Sequence, residues 1–264
     1  MIRIKTDEEI EQMKPAALLV GKTLAEVSTH VKPGVTTKQL DSIAEDFIRS
    51  HNAYPTFKGY GGFPASLCIS INENVVHGIP SNREIKEGDV VSIDCGCTLN
   101  GWVGDSAYTF AVKGIKDEDM QLLRVTKDSL YLGIKQCIIG NRLGDIGFAI
   151  QSYCESFGYG VVRELCGHGV GHVMHEDPSV LNYGRKGTGT KLKQGMTIAI
   201  EPMITLGNKE VVFHSDGWTC TTVDNSTAAH FEHDVAITKQ GPVILSSFEE
   251  IENAVKTNNN LEVI

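Results

Sequence analysis

The sequence predicts an α+β fold built from two related halves, on three observations. Two helix-period stripes open the chain, a strongly alternating hairpin follows, and the order of helix, helix and strands then recurs. Gly34, Leu40 and Phe47 of the first half correspond to Gly140, Ile146 and Tyr153 of the second at one constant offset. At 264 residues and 41% hydrophobic, the chain can bury one large core. The expected organisation is a single domain over 1–264, with halves at about 6–113 and 117–245 and a polar C-terminal tail at about 249–264.

Thr6 and Glu9 make a capping box at the head of the first helix, and Asp7, Glu8 and Glu9 suit its positive end. Ile10, Met13, Ala17, Val20, Leu24, Val27 and Val31 then recur at steps of three and four as one buried stripe. The stripe continues past Pro15, which therefore predicts a kink and not a stop. Pro33-Gly34 ends the element, and a second helix starts near Thr36 and turns Leu40, Ile43, Phe47 and Ile48 inward. Residues 54–64 change to glycine and aromatics, the composition of a loop with an apolar lining. Leu67 to Ile71 reads as a short strand, and Val75-Val76-His77-Gly78 returns beside it.

The hairpin runs from Val91 to Phe110. Asn100-Gly101 tolerates the positive φ of a type I′ turn, so Leu99 should face Trp102 and Asp94 should lie opposite Ala107. Asp105 is two residues from Ala107 on the same strand, so both aspartates project from one face, about 7–8 Å apart at Cβ or less. Two carboxylates in one small volume repel unless one is protonated or a cation lies between them. Either aspartate alone could equally be a solvated residue beside a turn.

In the second half a helix is expected over about 118–138, with Leu123, Leu130, Ile134 and Cys137 on its stripe, ended by Gly140. The next helix carries Ile146, Ala149, Ile150 and Tyr153. Gly167-His168-Gly169 leaves an imidazole accessible on an unusually free backbone. His168 and His172 have the spacing of a helical zinc pair, but Gly169 and Gly171 oppose a helix and no glutamate follows His168. Glu201 ends a β-branched strand from Thr197, and Glu232 points away from the apolar face of Phe231, Val235 and Ile237. Asp94, Asp105, Glu201, Glu232 and one imidazole form the hard, oxygen-rich set that Mn2+, Fe2+, Co2+ or Zn2+ selects. Two such cations would balance four negative charges and activate water for hydrolysis.

The net charge of −9 argues against a phosphate-binding surface and against nucleic-acid readout. Seven cysteines, without a matched pair of CxxC motifs, predict reduced thiols and a cytoplasmic compartment; Cys95-Gly96-Cys97 is too extended to bridge. No apolar run approaches a membrane span, and the first six residues lack a signal-peptide core.

Phe63-Pro64, Ser70-Ile71-Asn72-Glu73, His77-Gly78-Ile79-Pro80, Gly104-Asp105-Ser106, Cys166 to Gly171, Ile200-Glu201-Pro202 and Asp216-Gly217-Trp218-Thr219 together resemble type I methionine aminopeptidase. The resemblance covers about residues 6–245. It implies the pita-bread (creatinase/aminopeptidase) fold, with two pseudo-symmetric halves of helices packed on a curved antiparallel sheet around a dinuclear site. By the same resemblance Asp94 holds one metal only, Asp105 and Glu232 bridge, and His168 and Glu201 complete the other. His77 and His175 would face the substrate, with His175 at the oxyanion, and Glu201 would carry the proton. Phe57, Tyr60, Phe63, Cys68, Met174 and Trp218 would wall the methionine pocket, Met174 departing from the phenylalanine of well-known bacterial members. The implied activity is removal of N-terminal methionine from nascent proteins and peptides when the second residue is small. The implied setting is two divalent ions (Co2+, Mn2+, Fe2+ or Zn2+), a monomer, and transient ribosome association. Two rivals remain: a related hydrolase such as an X-Pro peptidase, and a catalytically silent binding protein on the same fold.

Overall fold

The computed structural model describes residues 1–264. Helix α1 spans Asp7–His30 and is capped as its sequence requires: the Glu9 N–H donates to Thr6 Oγ1 at 3.2 Å, and the Thr6 N–H to Glu9 Oε2 at 2.7 Å. Pro15 lies inside it without ending it. Helix α2, Thr37–Ser50, repeats the device with Thr36 and Gln39. Helices α3 (Asp117–Ile134) and α4 (Leu143–Ser156) form the second pair, and Asp145 accepts the Arg142 N–H at 2.7 Å as Gln39 does that of Thr36. Both pairs are anchored alike: Thr36 bridges to Glu84, and Arg142 to Lys191.

Each helix pair backs a five-stranded antiparallel sheet. The first joins Tyr54–Pro55, Leu67–Ile71, Val90–Leu99, Trp102–Val112 and Leu261–Glu262. The second runs Gly241–Ile244, His233–Thr238, Thr197–Ile200, Gly167–Gly169, Glu176–Val180. Two small three-stranded sheets complete the body; 61 buried residues from both halves form the main hydrophobic cluster, and Val75, Val76, Val162, Met203, Cys220 and Ala228 form a second, largely on the small sheets. No helix is long and apolar enough to cross a membrane. All seven cysteines are free thiols, and burial pushes the Cys97 thiol up to about 12.

Three expectations need correction. The stretch from Glu249 is no polar tail: it forms helix α5 (Glu249–Thr257) and then the strand Leu261–Glu262, which pairs with Ala111 and Val112. Its apolar residues are few but correctly spaced, so Ile251 and Val255 bury one face while the acidic residues stay outside. Helix α3 stops at Ile134, short of 138; β-branched Ile138 and Ile139 leave the helix for a turn, from which Cys137 is buried. On α4 the buried stripe includes Gly147 and Cys154, whereas Ala149 and Tyr153 are half-buried. A Cβ on Gly147 would overlap the Tyr183 carbonyl, so the helix leans in on its bare residue.

Helix α1 approaches the central hairpin at Gly104, where a Cβ would overlap the Ala16–Ala17 backbone. Gly104→Ala is therefore expected to lose about 1–3 kcal/mol through overpacking, read as a lower thermal midpoint. An unchanged midpoint would show that α1 can shift freely on its sheet.

Candidate metal centre and active site

The hairpin sets the first two carboxylates. Asn100 and Gly101 take φ of +53° and +80°, and the register closes with Leu99 opposite Trp102 and Asp94 opposite Ala107. Gly96 lies opposite Asp105, which places Asp94 and Asp105 two positions apart on one face. The other half supplies a matching pair. His233 pairs with Ile200, so Glu232, just before its strand, and Glu201, just after its own, leave adjacent strands at the same end. The Glu232 N–H donates to the Ala107 carbonyl at 2.9 Å, and Ser106 Oγ donates to the Glu232 carbonyl at 2.7 Å, tying the two sheets together at the site.

His168 sits on the Gly167–Gly169 strand, not on a helix; strand pairing needs bare neighbours there, because a Cβ on Gly167 would overlap the Ala199 carbonyl. Its Nε2 lies 3.5 Å from Asp105 Oδ2 and 3.8 Å from Glu201 Oε1. Ligand atoms of Asp105, His168 and Glu232 all lie within 4.8 Å of one another. Asp94 Oδ1, Asp105 Oδ1 and Glu232 Oε1 are buried without a hydrogen-bond partner. Such orphaned carboxylate oxygens are costly, and a divalent cation is the partner that their number and hardness fit.

The electrostatics agree. Burial, then the nearby charges of Asp105 and Glu201, pushes Asp94 well above the usual carboxylate range. Burial and the same two neighbours do likewise for Glu232. Glu201 goes the other way: burial opposes ionisation, but the close approach of His230 and the charge of His168 take it below its usual value. Burial also disfavours charge on His168, yet its bond to Asp105 and the charges of Glu201 and Asp105 raise it to about 9. Without a cation, the cluster can stay neutral only by sharing protons.

The 13 residues singled out from the sequence line one cavity of about 130 Å³. Its floor is the carboxylate cluster. One wall is apolar, with Phe63 edge-on to Trp218 at 5.1 Å and Met174 buried against Phe57 over Gly96. His175 faces Tyr60, whose hydroxyl is 2.6 Å from His175 Nδ1. His77, at φ +59°, presents its ring toward Trp218. Burial lowers both His77 and His175, favouring neutral imidazoles that can give or take one hydrogen bond.

Sequence reading missed Asp234 and His230. Asp234 is fully buried and its Oδ2 accepts the Asp105 N–H at 2.8 Å, while His230 Nε2 lies 3.4 Å from Glu201 Oε2. The signal was the alternation of His230, Glu232 and Asp234, which assigns all three to one side of an extended chain.

A buried carboxylate–imidazole cluster beneath a small apolar pocket is the arrangement that a metal-dependent hydrolase requires. Residues 11–239 match the Metallopeptidase family M24, and the chain belongs to that family. Within it, the chain is similar to methionine aminopeptidases. It is 56% identical to the one from Clostridium acetobutylicum over 250 residues, covering 94% of this chain and all of that protein. Methionine aminopeptidase 1 of Bacillus subtilis is 50% identical over 246 residues, covering 93% of this chain and 99% of that one. The crystal structure of the Rickettsia prowazekii methionine aminopeptidase superposes with a TM-score of 0.92 at 46% identity, over 94% of this chain and all of that one. An Xaa-Pro dipeptidase from Bacillus anthracis shares the fold alone, with a TM-score of 0.73 at 22% identity, over 92% of this chain and 62% of that one.

Proposed function

We propose that this chain is a methionyl aminopeptidase, which hydrolyses the first peptide bond of proteins and peptides that begin with methionine and carry a small second residue. The observation that carries the reading is the single cavity whose floor is orphaned carboxylates and whose wall is apolar and aromatic. Divalent cations, two in number and drawn from Co2+, Mn2+, Fe2+ and Zn2+, would be held by Asp94, Asp105, His168, Glu201 and Glu232. When bound, such ions polarise a carbonyl and make water acidic enough to attack near neutral pH.

The chain's own groups do the rest. Glu201, kept ionised by His230, takes the proton and passes it to the leaving amine. His175 donates to the oxygen that gains charge at the scissile carbonyl, and His77 faces the departing nitrogen. Phe57, Tyr60, Phe63, Cys68 and Trp218 enclose an unbranched side chain, and Met174 adds a deformable thioether surface. The substrates are peptide and nascent-chain N-termini, met by a monomer in the cytoplasm in transient association with the ribosome.

The second residue must pass close to His77 and the carboxylates, so a side chain branched at Cβ crowds the approach. A displacement of about 1 Å costs on the order of 100-fold in rate. Met-Ala peptides should therefore be cleaved about 100-fold faster than Met-Ile peptides. A protein that starts Met-Ile should keep its methionine in the presence of this enzyme, as intact mass will reveal. Comparable rates on the two peptides would defeat the selection rule, and cleavage only of an X-Pro peptide would favour the X-Pro peptidase. Binding without turnover would mark a silent binding protein.

A further inference from the structure

Lys5 lies outside the cavity, yet it is buried: its Nζ is 2.6 Å from Glu176 Oε2, with the two side chains only 5% and 3% exposed. The other oxygen of Glu176 accepts the His172 N–H at 3.2 Å, so Glu176 closes the turn His172–Glu176, which carries Met174 and His175 between its ends. The strap that delivers the lysine is pinned to the second half, where the Lys5 N–H donates to the Gly195 carbonyl at 2.7 Å. Two glycines clear its path. A Cβ on Gly171 would come within 2.8 Å of Lys5 Nζ, and one on Gly195 would overlap the Lys5 carbonyl. At its other end the turn is held by the hairpin: the His172 ring stacks on Trp102 at 3.7 Å, and His172 Nδ1 is 2.8 Å from the Gly101 carbonyl.

A buried ion pair is weak support for stability, because desolvation offsets the attraction; its best-attested use is to fix one geometry among several. We propose that Lys5 is a positioning residue: through Glu176 it fixes the turn that presents His175 to the scissile carbonyl and Met174 to the methionine side chain. The proposal rests on the role of His175 given above. It makes the extreme N-terminal strap part of the support of the active site.

The test is a cycle of Lys5→Met, His175→Ala and the double variant, with kcat and KM on a Met-Ala peptide and metal content by elemental analysis. Lys5→Met should lower kcat about tenfold, leaving metal content unchanged and KM within about threefold. In the His175→Ala background the same substitution should cost less than about threefold, because residues that act through one another are not additive. A full multiplicative loss in the double variant would overturn the proposal, and so would wild-type kcat in Lys5→Met beside an impaired His175→Ala. Full activity of His175→Ala alone would overturn the role of His175 and the proposal with it. If Lys5→Met does not fold, the apolar pair Lys5→Met with Glu176→Met replaces it. That pair should fold yet keep the reduced kcat, and wild-type kcat in it would overturn the proposal.

Discussion

A chelator is expected to abolish peptide hydrolysis by this protein, and Co2+, Mn2+ or Fe2+ to restore it. Cations held by Asp94, Asp105, His168, Glu201 and Glu232 would partner three carboxylate oxygens that are otherwise orphaned. Cations held there would make water acidic enough to attack a carbonyl near neutral pH. Stability should follow. Asp94 and Glu232 are raised above their unfolded values, so in stripped protein each stabilises the fold while protonated and that contribution is lost as pH rises. The thermal midpoint of stripped protein should therefore fall as pH rises above the ordinary carboxylate range, near 4. Metal at about 100 times its dissociation constant should return about 2.7 kcal/mol. Reloading should weaken toward low pH, where protons compete for the same oxygens. Full activity in exhaustively stripped protein, measured beside elemental analysis, would end the metal mechanism.

Glu201→Gln, compared at equal metal content by elemental analysis because Glu201 is also assigned as a ligand, should lower kcat by about 100- to 10,000-fold, the usual range for losing a general acid–base group. The amide keeps the size of the side chain and the packing of the Ile200 strand end, so KM for a Met-Ala peptide should change little. His230 loses the carboxylate that lies 3.4 Å away. A variant that retains kcat within about threefold would mean that another group moves the proton.

The hairpin register was legible because a two-residue Asn-Gly turn fixes pairing with no help from the rest of the chain. The helix starts at Thr6 and Thr36 were legible for the same reason, since a capping box involves neighbours three apart. The meeting of Glu201 and Glu232 with the two aspartates was different. Spacing gave each carboxylate a strand position and donor chemistry grouped them as one metal set, but no local pattern showed that two sheets meet around one cavity. Residues 249–264 were misread because their partners are remote: Asn258 donates to the carbonyls of Ser28 and Val31 at 2.7 and 2.9 Å, at the far end of α1. Lys5 was invisible for a similar reason, its glutamate lying across the fold on a turn of the second half.

The return of Leu261–Glu262 to the Trp102–Val112 strand has a consequence for how the chain is made. The first half is synthesised early, but the outer edge of its sheet at Ala111 and Val112 stays open until Leu261 and Glu262 have been added. An open edge of apolar residues is a template for pairing with other chains. Closure therefore waits for the whole second half, and a polysome carrying many copies short of Leu261 exposes many such edges at once. Chaperone engagement should be concentrated in that interval, between completion of the hairpin and arrival of the strand that seals it.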